Sequence, residues 1–390
     1  MGEFRLLTLN SLSAKGLSRL PAGYTHASDE TRPDAILVRS ADMHTMDIPA
    51  SVLAVGRAGA GTNNIPVAKL SERGVPVFNA PGANANAVKE LVLTGMLMAA
   101  RNVVPAVRFV EGLTESGAAL DKRVEDGKKH FVGAELPHHT LGVIGLGRIG
   151  ALVADTGIKL GMKVVGYDPE ITVDAAWSLP SQVRKAHSVE ELIRASDFIS
   201  LHVPQVPATK HLINEARLGM AKRNAVLLNF SREAIVDVSA VLAALESGHL
   251  RAYVCDFPEE RFRGHPKVVA LPHLGASTHE AEENCAIMVV DQVRDYLEHG
   301  NIRNAVNFPD VVMPRESPFR VGIANSNVPN MLGQISTAMA QAGLNIHNML
   351  NKSRGDMAYT LVDVDSAVSD EVIAGLRGIG GVLSVRSLPA

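Results

Sequence analysis

The chain has 390 residues, which at roughly 150 residues per domain allows two or three domains. Lys and Arg total 38 against 41 Asp and Glu, a net charge of −3 that argues against a nucleic-acid binder, whose mark is a strong basic excess. Hydrophobic content of 46% places the chain among ordered globular proteins, and with aromatics at only 4% the cores must be mainly aliphatic. Two cysteines, Cys255 and Cys285, show no CxxC or paired spacing, so neither a disulfide framework nor a metal cage is expected, and a reducing, cytoplasmic setting fits. The first residues lack the basic and apolar regions of a signal peptide, and Leu91–Ala100 is too short to span a membrane.

In chain order, apolar runs at 4–9, 35–40, 52–58 and 75–80 have strand length and branching, with a short helix at 64–74. This βα rhythm predicts a parallel sheet. A helix is expected over 83–110, kinked at Pro105. A second series follows with strands at 140–145, 163–168, 198–204, 225–231, 252–258 and 268–273, which predicts a six-stranded doubly wound sheet. A long amphipathic helix over 277–300 stops at Gly300. The segment 307–319 holds three prolines and reads as a linker. The last 70 or so residues follow a βαββαβ order, the pattern of a ferredoxin-like module. The expected division is 1–92 and 285–312 for a first βα domain, 93–284 for the doubly wound domain, a linker at 313–319, and 320–390 for the terminal module.

Gly145, Gly147 and Gly150 form a GxGxxG between a strand and a helix, and Asp168 ends the next strand about 20 residues on. Gly145 permits the turn, Gly147 lets backbone approach a pyrophosphate, and Gly150 lets the helix pack closely. A carboxylate at Asp168 suits a ribose diol and repels a 2′-phosphate, so NAD is the expected cofactor. Arg232, Glu260 and His273 fall at or just after the ends of late strands, where ligands bind in such sheets. An arginine can clamp a carboxylate, a histidine can move a proton near neutral pH, and a neighbouring carboxylate can stabilise the imidazolium. That set suits oxidation of a 2-hydroxy acid; by spacing alone, unrelated surface charges and a loop histidine remain the alternative.

The segments GLGRIG, SLHVP, NFSREAIVD and PHLGAST resemble the D-isomer-specific 2-hydroxyacid dehydrogenase family. VRSADM, GRAGAGTNNI, NAPGANANAVKELVL and NIRNAVNFP, with the βαββαβ tail, are similar to its branch acting on 3-phosphoglycerate, over nearly the whole chain from about residue 35. The resemblance implies a Rossmann-like NAD domain, a discontinuous flavodoxin-like substrate domain and a C-terminal ACT domain. It implies Arg232 as the carboxylate clamp, His273 as general acid/base and Glu260 as its partner. Further contacts it implies are Arg148, Ile149, His202, Val203, Pro204, Thr209, Ser231 and Asp256 for the cofactor, and Arg39, Ser40, Arg57 and Asn84 for the substrate. The usual Asp-Val-Phe-Pro is here Cys255-Asp256-Phe257-Pro258, so either a bulge restores Asp256 to the cofactor or it points elsewhere. In the tail, Asn327 and Asn345 match effector positions of serine-inhibited relatives, and Asn325 stands where a histidine is common. A homodimer or homotetramer is implied. Dehydrogenases of other 2-hydroxy acids and NAD-sensing corepressors of the same fold remain the alternatives.

Overall fold

The computed structural model describes residues 3–388, which build three sheets. The first holds β1 (Phe4–Leu9), β2 (Tyr24–Ala27), β3 (Ala35–Val38), β4 (Ala54–Arg57) and β5 (Val77–Phe78). It is parallel, in the flavodoxin-like order β2-β1-β3-β4-β5. The edge strand β2 is new relative to the sequence pattern: YTHA is mostly exposed and carries no apolar run.

The second sheet holds β6 (Thr140–Ile144), β7 (Lys163–Tyr167), β8 (Arg184–Lys185), β9 (Phe198–Leu201), β10 (Ala225–Asn229), β11 (Leu250–Cys255) and β12 (Val268–Ala270). Its order, β12-β11-β10-β9-β6-β7-β8, has seven strands rather than six, because the short exposed pair Arg184–Lys185 adds an edge. Every residue of β9 and β10 is buried, as strands covered on both faces require.

The helix expected over 83–110 is two helices, Ala85–Ala100 and Val103–Glu111, bent by 66°. The break is at Asn102, in left-handed conformation at φ 52°, and not at Pro105. Pro105 lies in the first turn of the second helix, where a missing N–H costs nothing. No single helix among the described residues is long and apolar enough to cross a membrane; this bent pair passes on length and composition together.

The third sheet is antiparallel: β13 (Phe319–Ser326), β14 (Ile346–Arg354), β15 (Met357–Val364) and β16 (Val382–Leu388), in order β14-β15-β13-β16. Helices Met331–Gln341 and Asp370–Arg377 cover one face through Ile335, Met339, Ile373 and Leu376, the βαββαβ arrangement of an ACT-type module.

The chain divides into two compact units, Ala85–Thr278 and the remainder. Each crossing coincides with the start of a long helix, at Ala85 and at His279, so neither helix is shared between units. The C-terminal module belongs to the same unit as the first sheet. Its second face, through Ala324, Tyr359, Leu361 and Leu388, joins one core with Tyr296 and Leu297 of helix His279–His299. The proline-rich segment is correspondingly no loose linker: Phe308, Val311 and Met313 are buried, and Ile302 bridges Val311.

Candidate active site

Strand order reverses between β6 and β9, the point where doubly wound sheets open a crevice. Gly145 turns there at φ 89°, and a Cβ on it would collide with the His202 carbonyl beyond β9. A Cβ on Gly150 would collide with the Gly145 carbonyl, which is why helix Arg148–Lys159 can sit so close to the turn. Beside Gly147 the space is open, with no atom within 4 Å of a Cβ built there. No side chain caps the helix start, so an open cradle faces free backbone N–H groups, which fits the pyrophosphate of a dinucleotide. Arg148 is exposed and Ile149 half-buried in that first turn. Asp168 braces the same turn: its Oδ2 accepts from Leu146 N at 2.8 Å and its Oδ1 from Glu170 N at 3.0 Å. Each oxygen keeps a lone pair for a ribose hydroxyl.

His202 pairs with Ser200 Oγ at 2.8 Å, and burial pushes its pKa down to about 3, so the imidazole is neutral throughout the working range. Val203 is half-buried and Pro204 exposed. Thr209 Oγ1 donates to Pro204 O at 2.6 Å and accepts from Val206 N at 3.0 Å, so this side chain shapes the loop after β9. Asn229, wholly buried at the end of β10, accepts from Ser231 N and donates to Arg232 O at 2.9 Å. The Arg232 side chain is thereby held at the sheet edge, exposed, its one hydrogen bond going to Ser231 O; among the described residues no carboxylate pairs with it.

His273 lies three residues past β12, exposed and at φ 56°. A left-handed conformation in a non-glycine residue costs on the order of 1–3 kcal/mol and needs surrounding structure to impose it. Asp256 imposes it. Its backbone carbonyl accepts from His273 N at 3.1 Å, and its carboxylate takes Leu274 N and Gly275 N, both at 2.7 Å. Three successive N–H groups thus hang on one residue that is 1% exposed. Burial pushes the Asp256 pKa up, partly opposed by those N–H groups. The carboxylate therefore faces the histidine loop. The His273 ring lies 5.1 Å from that of Phe257, a neighbour that no sequence pattern flagged.

Glu260 does not meet His273: among the described residues no bond joins them. Glu260 is exposed in the turn Glu260–Phe262, which is fixed by buried Phe262 packing on Tyr253 at 5.5 Å and by the Glu259–Arg261 ion pair at 2.6 Å. Cys255 is buried, its Sγ directed to Phe257 O, and burial raises its pKa to about 11, so it is no ready nucleophile.

In the other unit, Arg39 follows β3 and pairs with Glu282 at 2.5 Å, a partner not foreseen from sequence. Asn10 Oδ1 holds Ser40 N at 3.0 Å, and Arg57 Nε donates to Arg39 O at 3.1 Å, so these residues form one cluster. Asn84 is half-buried at the end of that stretch. In the C-terminal module, Asn325 is 1% exposed, donates to Ser326 O, and leaves its Oδ1 without a partner. Asn327 donates to Gly355 O at 3.1 Å, while Asn345 is exposed across the module.

Comparison with known proteins matches this geometry. Residues 93–275 fit the family model "D-isomer specific 2-hydroxyacid dehydrogenase, NAD binding domain". A D-3-phosphoglycerate dehydrogenase of Haemophilus influenzae is 33% identical over 86% of this chain and 81% of its own. One of Escherichia coli is 29% identical over 99% of this chain and 98% of its own. Among solved structures, D-2-hydroxyisocaproate dehydrogenase superposes with a TM-score of 0.65 at 23% identity, over 78% of this chain and all of that one. An NAD⁺-bound 3-phosphoglycerate dehydrogenase of Entamoeba histolytica gives 0.59 at 22%, over 78% of this chain and 99% of its own. On sequence, fold and the form of its dinucleotide crevice, the chain belongs to the D-isomer specific 2-hydroxyacid dehydrogenase family.

Proposed function

We propose that the protein oxidises D-3-phosphoglycerate to 3-phosphohydroxypyruvate with NAD, a first step toward L-serine. The observation that carries this is an unpaired Arg232 and an imposed His273 loop at one sheet edge, in a chain whose near-full-length relatives bear that enzyme's name. Arg232 holds the substrate carboxylate by charge-assisted hydrogen bonds. His273 takes the hydroxyl proton as general base. NAD, which the Gly145–Gly150 turn and Asp168 would hold, would supply the hydride acceptor. Glu260 is assigned to stabilise the imidazolium, which requires its turn to close on the ring. Asp168 favours NAD by repelling a 2′-phosphate, and Arg39, Ser40, Arg57 and Asn84 are assigned to the substrate.

The test is NADH formation with a panel of D-2-hydroxy acids. Wild type is expected to prefer 3-phosphoglycerate; preference for another acid points to another member of the family, and no turnover with any acid points to an NAD-sensing binder. His273→Ala and Arg232→Ala are each expected to lower kcat/KM by about 10²–10⁴, and wild-type values would refute the assignment. Asp168→Ala should shift preference from NAD toward NADP.

L-serine is the proposed effector of the module, on the strength of Asn327 and of the unpartnered Asn325 Oδ1. Calorimetry with millimolar serine decides it, absence of heat ruling it out. A homodimer or homotetramer is proposed because helix Val103–Glu111 buries no residue and leaves Val103, Val107 and Val110 exposed, as is Val132. Light scattering measures the state. Two free, buried cysteines support a reducing, cytoplasmic setting.

A further inference from the structure

Helix Ala85–Ala100 buries Ala85, Val88, Val92, Gly95, Met96 and Ala99. Spacings of three and four residues place Lys89 on that same stripe, after Ala85 and before Val92. A cation on an apolar stripe is costly unless a counter-charge compensates it. The Lys89 side chain is only 20% exposed, and among the described residues the carboxylate it pairs with is that of Glu90, at 3.7 Å. That carboxylate is 60% exposed and already accepts from Asn86 Nδ2 at 2.8 Å. Among the described residues no hydrogen bond reaches Lys89 Nζ.

The helix also has a defined direction on the sheet. Val88 lies beside Gly275, Gly95 packs on Phe230 and Val254, and Arg251 donates to Ala100 O at 2.9 Å. Arg251 lies at the start of β11 and Asp256 follows its end, so the helix runs antiparallel to that strand. Its first turns therefore stand at the edge of the sheet where Arg232 and the His273 loop stand.

We propose that Lys89 is a specificity-determining contact for the second anionic group of the substrate, the one Arg232 does not hold. The proposal rests on the function proposed above, for which that group is the phosphate. A mostly covered lysine with a weak counter-ion, on a helix whose Val88 lies beside the histidine loop, is compensated when an acid with a second anionic group binds.

The experiment compares Lys89→Met and Lys89→Arg with wild type on 3-phosphoglycerate and on D-glycerate, which shares the carboxylate and hydroxyl but lacks the phosphate. Lys89→Met is expected to lower kcat/KM for the phosphorylated acid by about 10- to 100-fold, the loss of one charge-assisted hydrogen bond, chiefly through KM. Turnover of D-glycerate and KM for NAD should be unchanged, and Lys89→Arg should recover most of the loss. An equal loss on both acids, a change confined to NAD, or no change overturns the proposal. Calorimetric binding of 3-phosphoglycerate to the NADH-loaded protein reads the same contrast without turnover, and melting temperature separates it from misfolding. Wild type that fails to turn over 3-phosphoglycerate refutes the proposed function; Lys89→Met that behaves as wild type refutes this inference alone.

Discussion

Asp256 and Asp363 are both buried aspartates at the ends of network-forming strands, 1% and 0% exposed, yet they act differently. Asp256 faces neutral donors, the N–H groups of Leu274 and Gly275, and burial keeps its pKa raised. Asp363 faces a cation, Arg320, at 2.6 and 2.8 Å, and accepts Glu316 N at 2.9 Å. Burial pushes its pKa up, but the Arg320 hydrogen bonds and the Glu316 N–H outweigh that and hold it low. Arg320 in turn donates to His299 O, Met313 O and Pro314 O, tying the proline-rich segment and the end of the long helix to the module. One carboxylate shapes the loop that carries His273; the other locks the module onto its unit. A buried acid against dipoles orders a few residues locally, whereas a buried acid against a guanidinium joins elements distant in sequence.

The largest expected effect breaks the second network. Arg320→Met leaves the Asp363 carboxylate buried without its cation, held by the Glu316 N–H, and should cost about 3–5 kcal/mol. Replacing both, Arg320→Met with Asp363→Leu, should recover part of it, though three carbonyls lose their donor. Urea midpoints measure both, and a single variant as stable as wild type would show that the module is held by its apolar face alone. Next in size is Asp256→Asn. An amide cannot accept both loop N–H groups, so about 1–3 kcal/mol is lost locally. A loop displaced by about 1 Å should reduce kcat by as much as 10²-fold with KM for NAD unchanged. Unaltered kcat would mean that strand ends alone position His273.

These two sites also mark the limit of what the sequence discloses. The glycine turn and Asp168 were legible because strand, turn, helix and acid follow at fixed spacing and their bonds are local. So were Arg232 and His273 as strand-end residues. The partner of Asp256 was not, because a one-residue shift against the usual pattern left its direction open, and only the loop geometry resolves it. Arg320 and Asp363 are 43 residues apart and read as ordinary strand charges until β13 pairs with β15. The proline-rich segment misled for the same reason: prolines suggest a linker, but Phe308 and Val311 fold into a core assembled from remote strands. Long-range pairing, not local propensity, decided each of these.

The smallest expected effect sharpens the contrast through pH. A group whose folded pKa lies below its unfolded value contributes stability that is complete above the unfolded pKa and lost as pH falls through the folded one. Asp363 is such a group, so its contribution fades below about pH 4. Asp256 has the opposite sign: its raised folded pKa means that acid relieves a penalty present at neutral pH. His202, held neutral with a folded pKa of about 3, loses ground earlier, from about pH 6.5 downward, as the unfolded imidazole gains its proton. Urea midpoints between about pH 3 and 7 should fall more steeply on the acid side in Asp256→Asn and less steeply in the Arg320→Met, Asp363→Leu pair. His202→Asn should flatten the limb already from about pH 6.5 downward, before Asp363 begins to act. If all three variants keep the wild-type slope, the acid limb belongs to the many exposed carboxylates, and the two buried aspartates differ in geometry without differing in their linkage to folding.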